Sequence, residues 1–214
     1  MAESKATELI VIRHGETEWN RAGKQQGQLD TNLSELGRAQ AQALADALAG
    51  EHFDALYGSD LGRAMQTARA IAPRVNLEIA PDPRLRERHL GIMQGMTLAE
   101  FRREHPRGYA CFCGDDPDYG LPDGESIRQR HDRSVACAEE LAARHTGRRL
   151  LIVTHGGVLD SFLRRAVGLD LAAPRRFSLY NASVNTFNIT DGQWRLGRWG
   201  DTHHLRQIGT KDDW

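Results

Sequence analysis

The sequence predicts an α/β protein, a three-layer α/β/α sandwich built on a mainly parallel central sheet. Short β-branched runs alternate with amphipathic stretches of ten or more residues, the pattern of strand and crossover helix. Two of those runs, Leu9-Ile-Val-Ile12 and Leu150-Leu-Ile-Val153, are continuously apolar, as strands covered on both faces must be. Each passes at once into a glycine-containing turn with a histidine, RHG in one case and THGG in the other.

The elements follow in order. After the first strand, a polar loop from about Gly15 to Leu33 leads to Ser34, a suitable N-cap for a helix with Leu36, Ala39, Ala43, Leu44, Ala47 and Leu48 on its apolar face. Ala55 to Tyr57 reads as a second strand. The next helix is expected to be capped by Ser59 or Asp60 and ended by Pro73, with Arg63 in its first turn. Leu77 to Ile79 is a candidate third strand, followed by an arginine-rich loop. Thr97 and Glu100 form a capping box for a short helix closed by Pro106. Residues 109–124, rich in Gly, Pro and Asp, read as a surface loop or lid. Ser126 caps a long helix that ends near His145, and Val158 to Val167 is helical after the Leu150 strand. Ser183 to Ile189 and Gln193 to Trp199 flank Asp191-Gly192, a tight hairpin signal, with Trp194 and Trp199 as its packing residues.

Composition bounds the function. At 214 residues, without a linker-like tract, the chain is read as one domain over residues 1–214. Apolar residues at 40% and charged residues at 27% exclude disorder, collagen and coiled coil. The 28 basic and 29 acidic residues are scattered, so nucleic acid is not an expected partner. The longest aliphatic runs are four residues, far below the roughly 20 of a membrane span, so no membrane partner is expected either. The opening MAESKATE lacks the apolar region of a secretory signal, which makes the cytoplasm the expected compartment. Cys111, Cys113 and Cys137 form an odd set and read as free thiols. Neither Cys111 with Cys113 nor His203 with His204 has the further ligands that a metal site needs.

Ligands of open parallel sheets bind beyond the carboxyl ends of the strands. Arg13-His14 and His155-Gly156 fall there, and Arg63 opens a helix that follows another strand. Three cationic or potentially cationic side chains, together with backbone donors at helix N-termini, describe a phosphate site.

The ordered set VIRHGETEWN, QGQLDTNLSELGRAQA, GSDLGRAMQTA, LRERHLG, DGES with Arg133 beyond it, and VTHGG resembles the histidine phosphatase superfamily, also called the phosphoglycerate mutase-like family. The resemblance runs from Leu9 to about Phe187 and implies the phosphoglycerate mutase-like fold. It implies that His14 is the nucleophile of a phosphohistidine mechanism and that Arg13, Arg63 and His155 form the phosphate pocket. It also makes Glu87 the proton donor to the leaving alkoxide. Asn20, Gln26, Gly27 and Gly156 match positions lining the family's phosphate or substrate pocket. His155 is expected to be protonated beside a phosphoryl dianion while His14 stays neutral. Arg84, Arg86 and Arg88 are expected to oppose any rise in the pKa of Glu87.

The family holds both phosphatases and cofactor-dependent mutases. The mutase pattern of adjacent arginines followed by Ser-Tyr-Asp and prolines is absent here, and DGES is present, which favours hydrolysis. A cofactor-dependent mutase and a non-catalytic phospholigand binder are the alternatives. No cofactor and no metal is expected. The expected partner is a small phosphorylated metabolite, and a homodimer is left open. Arg21, Lys24, Arg84, Arg86, Arg88, Arg102, Arg103 and Arg107 are candidates to meet a second anionic group.

Overall fold

The computed structural model describes residues 5–210. One six-stranded sheet organises them, in the order β3 (Ile79–Pro81), β2 (Ala55–Gly58), β4 (Arg149–Thr154), β1 (Thr7–Arg13), β5 (Val184–Thr190), β6 (Gln193–Asp201). β3, β2, β4 and β1 run parallel, while β5 pairs antiparallel with β1, and β6 with β5. The expected mainly parallel three-layer sandwich is therefore observed. Its cause is visible in β1, where successive residues point to opposite faces and both faces are buried. Leu9 and Val11 join a core with Leu150, Ile152 and Phe162, under α6 (Ile127–Arg144) and α7 (Gly156–Val167). Ile10 and Ile12 join the other core with Leu151, Val153 and Leu44, under α2 (Glu35–Leu48) and α3 (Gly62–Val75).

Ser34, Thr97 and Ser126 cap their helices as the sequence predicts, the last two in full capping boxes. Asp191 and Gly192, with φ of 49° and 74°, form the hairpin turn, and Trp194 and Trp199 pack on the core. Several boundaries differ from expectation. The third strand lies at Ile79–Pro81, because α3 continues through Pro73 to Val75 and is closed by Asn76 in the left-handed region at φ 54°. A proline in the last turn forfeits one hydrogen bond without stopping the helix. Pro106 closes α4 (Leu98–Glu104) and also opens α5 (Pro106–Phe112), since a proline at the first helical position is preorganised for it. Residues 109–112 of the expected loop are thus helical. A one-turn helix, α1 (Glu18–Arg21), interrupts the polar loop after β1, and α7 starts at Gly156, two residues earlier than its apolar periodicity indicates.

The segment after β1 is locked against α2. Glu16, 3% exposed, takes a hydrogen bond from the Ser34 hydroxyl at 2.7 Å, and its amide donates to Gln40 Oε1 at 2.9 Å. The backbones touch: a Cβ on Gly37 would lie 1.9 Å from Glu16 O, and one on Gly15 would lie 2.5 Å from Gly37 O. No flexible side chain stands there to move aside. Gly37→Ala is expected to cost about 1–3 kcal/mol of stability by overpacking, read from urea midpoints, and to lower activity because the displaced segment carries His14.

Candidate active site

β1 and β4 are neighbours with Arg13 in register with Thr154, and His14 N donates to Thr154 O at 2.9 Å. The two strands therefore release His14 and His155 side by side, with ring centroids 5.1 Å apart. β2 ends level with them, its Ser59 amide bonded to Val153 O at 2.9 Å. The Ser59 hydroxyl lies 2.8 Å from His155 Nε2. The sequence marks Ser59 only as a candidate helix cap.

Two neighbours fix the tautomer of His14. Nδ1 lies 2.8 Å from Gly15 O, which can only accept, and Nε2 lies 3.3 Å from Arg63 Nε, which can only donate. Nδ1 therefore carries the proton, and Nε2 presents its lone pair. Burial holds the pKa of His14 well below 6.5, and Arg63 and Arg13 add to the effect. The same causes act on His155: burial first, then Arg63, His14 and Arg13. Protonation of His155 beside a phosphoryl dianion would have to overcome this burial and the two arginines.

Arg63, 1% exposed, is oriented by contacts at both terminal nitrogens. Nη2 donates to Gly27 O at 2.7 Å, and Nη1 to Leu29 O at 3.0 Å and Asp30 Oδ1 at 3.1 Å. Asp30 also accepts from the amides of Gly62 and Arg63, so it caps α3 in place of Ser59 or Asp60. Leu61 occupies the N-cap position without a side-chain bond. A cap supplied from a distant loop leaves no local signal in sequence.

Glu87 faces the N-terminus of α7. Its Oε2 accepts from Gly157 N at 2.9 Å, and its Oε1 from Arg88 N at 2.8 Å. The side chains of the neighbouring arginines make their hydrogen bonds elsewhere. Arg84 pairs with Asp82 and Glu140, Arg86 pairs with Asp60, and Arg88 donates to the carbonyls of Glu125 and Tyr119. Arg133 acts on this segment through the backbone. It is bidentate to Glu125 at 2.9 Å on both arms and donates to Arg84 O at 2.6 Å and Arg86 O at 3.1 Å, clamping the stretch that carries Glu87.

A cavity of about 480 Å³ brings Arg13, His14, Arg63, Glu87 and Gly156 together. Asn20, Gln26 and Gly27 also line it. Asn20 Oδ1 is engaged by the backbone and hydroxyl of Thr17, and Gln26 Oε1 accepts from Thr31. Phe112, Gly114 and Asp115, from the expected lid region, line the far side. Of the eight candidates for a second anion, Lys24 and Arg88 reach the cavity. Among the described residues no group of three or more His, Cys, Asp or Glu side chains is placed to hold a metal ion, and no helix is long and apolar enough to cross a membrane.

These features place two imidazoles, two guanidinium groups and a carboxylate together at the strand ends of an α/β sheet, and comparison with known proteins shows the family. The profile of the histidine phosphatase superfamily (branch 1) matches residues 9–202, and the chain belongs to that superfamily. It is 40% identical over 210 residues to a metal-independent phosphoserine phosphatase of Arabidopsis thaliana, covering 97% of this chain and 87% of that one. Other relatives are named probable phosphoglycerate mutase, such as one from Proteus mirabilis at 33% identity, covering 94% of this chain and 96% of that one. Among solved structures, Bacillus stearothermophilus YhfR superposes with a TM-score of 0.86 at 32% identity, covering 94% of this chain and 100% of that one. A mycobacterial glucosyl-3-phosphoglycerate phosphatase in complex with VO3 gives 0.80 at 34%, covering 91% and 99%. A metal-independent phosphatase function fits this set.

The buried histidines link the site to stability. Both have folded-state pKa values below the ordinary 6.5, so on acidification the unfolded chain takes up their protons first. The stability they contribute is complete above about pH 6.5 and falls below it by up to about 1.4 kcal/mol per pH unit for each histidine. Urea midpoints taken between about pH 7.5 and pH 5 are expected to decline accordingly. A variant carrying both His14→Asn and His155→Asn is expected to lose that part of the slope.

Proposed function

We propose that the chain hydrolyses phosphomonoesters of small metabolites through a phosphohistidine on His14, without a metal. The observation that carries this reading is the neutral imidazole whose Nε2 lone pair faces Arg63, in a cavity that also holds a carboxylate, Glu87. Such a nitrogen attacks phosphorus without first losing a proton.

In the first half-reaction Arg13, Arg63 and the N-terminus of α7 take the phosphoryl oxygens. Arg63 shifts its Nε hydrogen from His14 to the entering anion, which frees the lone pair. His155 Nδ1 is buried without a hydrogen-bond partner among the described residues. If the Ser59 hydroxyl donates to Nε2, Nδ1 carries the proton and donates it to a phosphoryl oxygen. His14 Nε2 bonds to phosphorus, the ester P–O bond breaks, and protonated Glu87 gives its proton to the departing oxygen. In the second half-reaction Glu87, now a carboxylate, takes a proton from water as that water displaces Nε2. Inorganic phosphate leaves and the neutral imidazole returns. Asn20, Gln26, Gly27 and Gly156 serve as walls of the phosphate and substrate pocket. The exposed free thiols Cys111 and Cys113 support a reducing compartment, in keeping with the cytoplasm.

Hydrolysis of p-nitrophenyl phosphate is the direct test, and it is expected to persist in excess chelator. His14→Ala is expected to lower kcat by about three orders of magnitude or more, and radiolabelled substrate should leave acid-labile label on the wild-type chain alone. Loss of activity in chelator, restored by a divalent ion, would overturn the mechanism. Glu87→Gln is expected to slow alkyl esters by about 10²- to 10⁴-fold. Aryl esters, whose leaving groups need less protonation, should be slowed less.

A further inference from the structure

The two peptide units after His14 are each held at both ends. In the first, His14 O accepts from Asn181 Nδ2 at 3.1 Å and from Ala182 N at 3.2 Å, while Gly15 N donates to Thr67 Oγ1 at 3.1 Å. In the second, Gly15 O accepts from His14 Nδ1, and Glu16 N donates to Gln40 Oε1 at 2.9 Å. The direction of Gly15 O sets the tautomer and the plane of the His14 ring, so these bonds reach the nitrogen opposite. Ala182 N also donates to Arg13 O at 3.1 Å. It does so from the left-handed region, at φ 55°, where a residue with a Cβ sits at a steric cost. Asn181 and Ala182 are both fully buried. A conformation of this kind persists only where its surroundings impose it.

The contacts that impose it come from the end of the chain. His204 lies in a short helical turn, His203–Leu205, with its Nε2 3.0 Å from Ala182 O. Burial lowers the pKa of this half-buried ring, so at neutral pH it carries one N–H, and a carbonyl partner places that hydrogen on Nε2. Thr210 Oγ1 donates to Asn181 O at 2.8 Å. Gly209 O accepts from Gln40 Nε2 at 3.0 Å, so the side chain that holds Glu16 N is itself tied to the same tail. Leu205, 1% exposed, pins the tail into the core that contains Leu44. Neither His204 nor Thr210 lines the cavity, and any effect they have on it passes through other residues. We propose that residues 204–210 form a strap in which His204 and Thr210 are positioning residues: they fix the backbone around His14, and with it the line along which Nε2 meets phosphorus. The part played in attack rests on the phosphatase reading above, whereas the hold on the His14 ring does not.

Nitrogen NMR of the histidine rings tests the strap in the wild-type chain. At neutral pH His204 is expected as the tautomer with hydrogen on Nε2, and His14 as the one with hydrogen on Nδ1. A His204 ring with its hydrogen on Nδ1 could not donate to Ala182 O and would overturn the proposal. His204→Phe keeps a ring and removes the donor. With p-nitrophenyl phosphate, kcat is expected to fall about 10-fold and KM to change by less than about 2-fold, because the nucleophile is misplaced while the phosphate-binding side chains remain. His14 should then populate both tautomers. His204→Gln, whose amide donates from nearly the same place, should recover most of kcat and the single tautomer. A role in stability alone would lower the urea midpoint of His204→Phe and leave kcat and the His14 signals of the folded protein unchanged, and that result would overturn the proposal. Where His204→Phe does not fold, Thr210→Val takes its place, with kcat expected to fall about 3-fold. Wild-type kcat and unchanged His14 signals in that variant would equally overturn the strap. If the wild-type chain hydrolyses no ester, the phosphatase reading falls and the ring spectra still decide whether the tail holds His14.

Discussion

The site depends on the pairing of β1 with β4. Because the two strands are parallel, adjacent and in register at Arg13 and Thr154, their carboxyl ends deliver two imidazoles to one point. Burial then removes the solvent that would stabilise an imidazolium, and Arg13 and Arg63 oppose it further. The result is a pocket with fixed positive charge from guanidinium groups and neutral rings between them. In the proposed mechanism a phosphoryl dianion would reverse the electrostatic balance for His155, while His14 would keep the lone pair with which it attacks.

α7 is the second organising element. Its first two residues are glycines because each faces a functional group. Gly156 abuts Arg13, and Gly157 donates to Glu87 while leaving room beside it. The helix axis thereby joins the phosphate end of the cavity to Glu87 and then to the Arg130–Asp160–Arg164 network. Arg133 fixes the opposing segment through backbone carbonyls, so Glu87 is held from both sides by elements distant in sequence.

Much of this was legible in the chain itself. Continuously apolar strands, Ser and Thr caps and the Asp191-Gly192 turn are local signals, and the structure shows each of them. The misplaced features had non-local causes. Pro73 sits so near the end of α3 that it does not break it, Pro106 serves two helices at once, and the cap of α3 comes from Asp30. Within the site, the RHG and THGG turns drew attention to His14 and His155, but Ser59, Asp30 and Gly157 carry no motif that states their function. Arg88, grouped in sequence with Arg84 and Arg86, differs from both in making no ion pair among the described residues.

The amino-acid order by itself determined the layered architecture, the strand ends from which reactive side chains emerge and the family to which the chain belongs, because periodicity, caps and contiguous motifs are properties of short segments. Only the tertiary structure decided which tautomer His14 adopts, that burial and two arginines lower the pKa of both rings, and which arginines are spent on neighbouring acids. Those outcomes depend on distances between segments far apart along the chain and on how completely packing removes water from them, and neither quantity is written in any local stretch of residues.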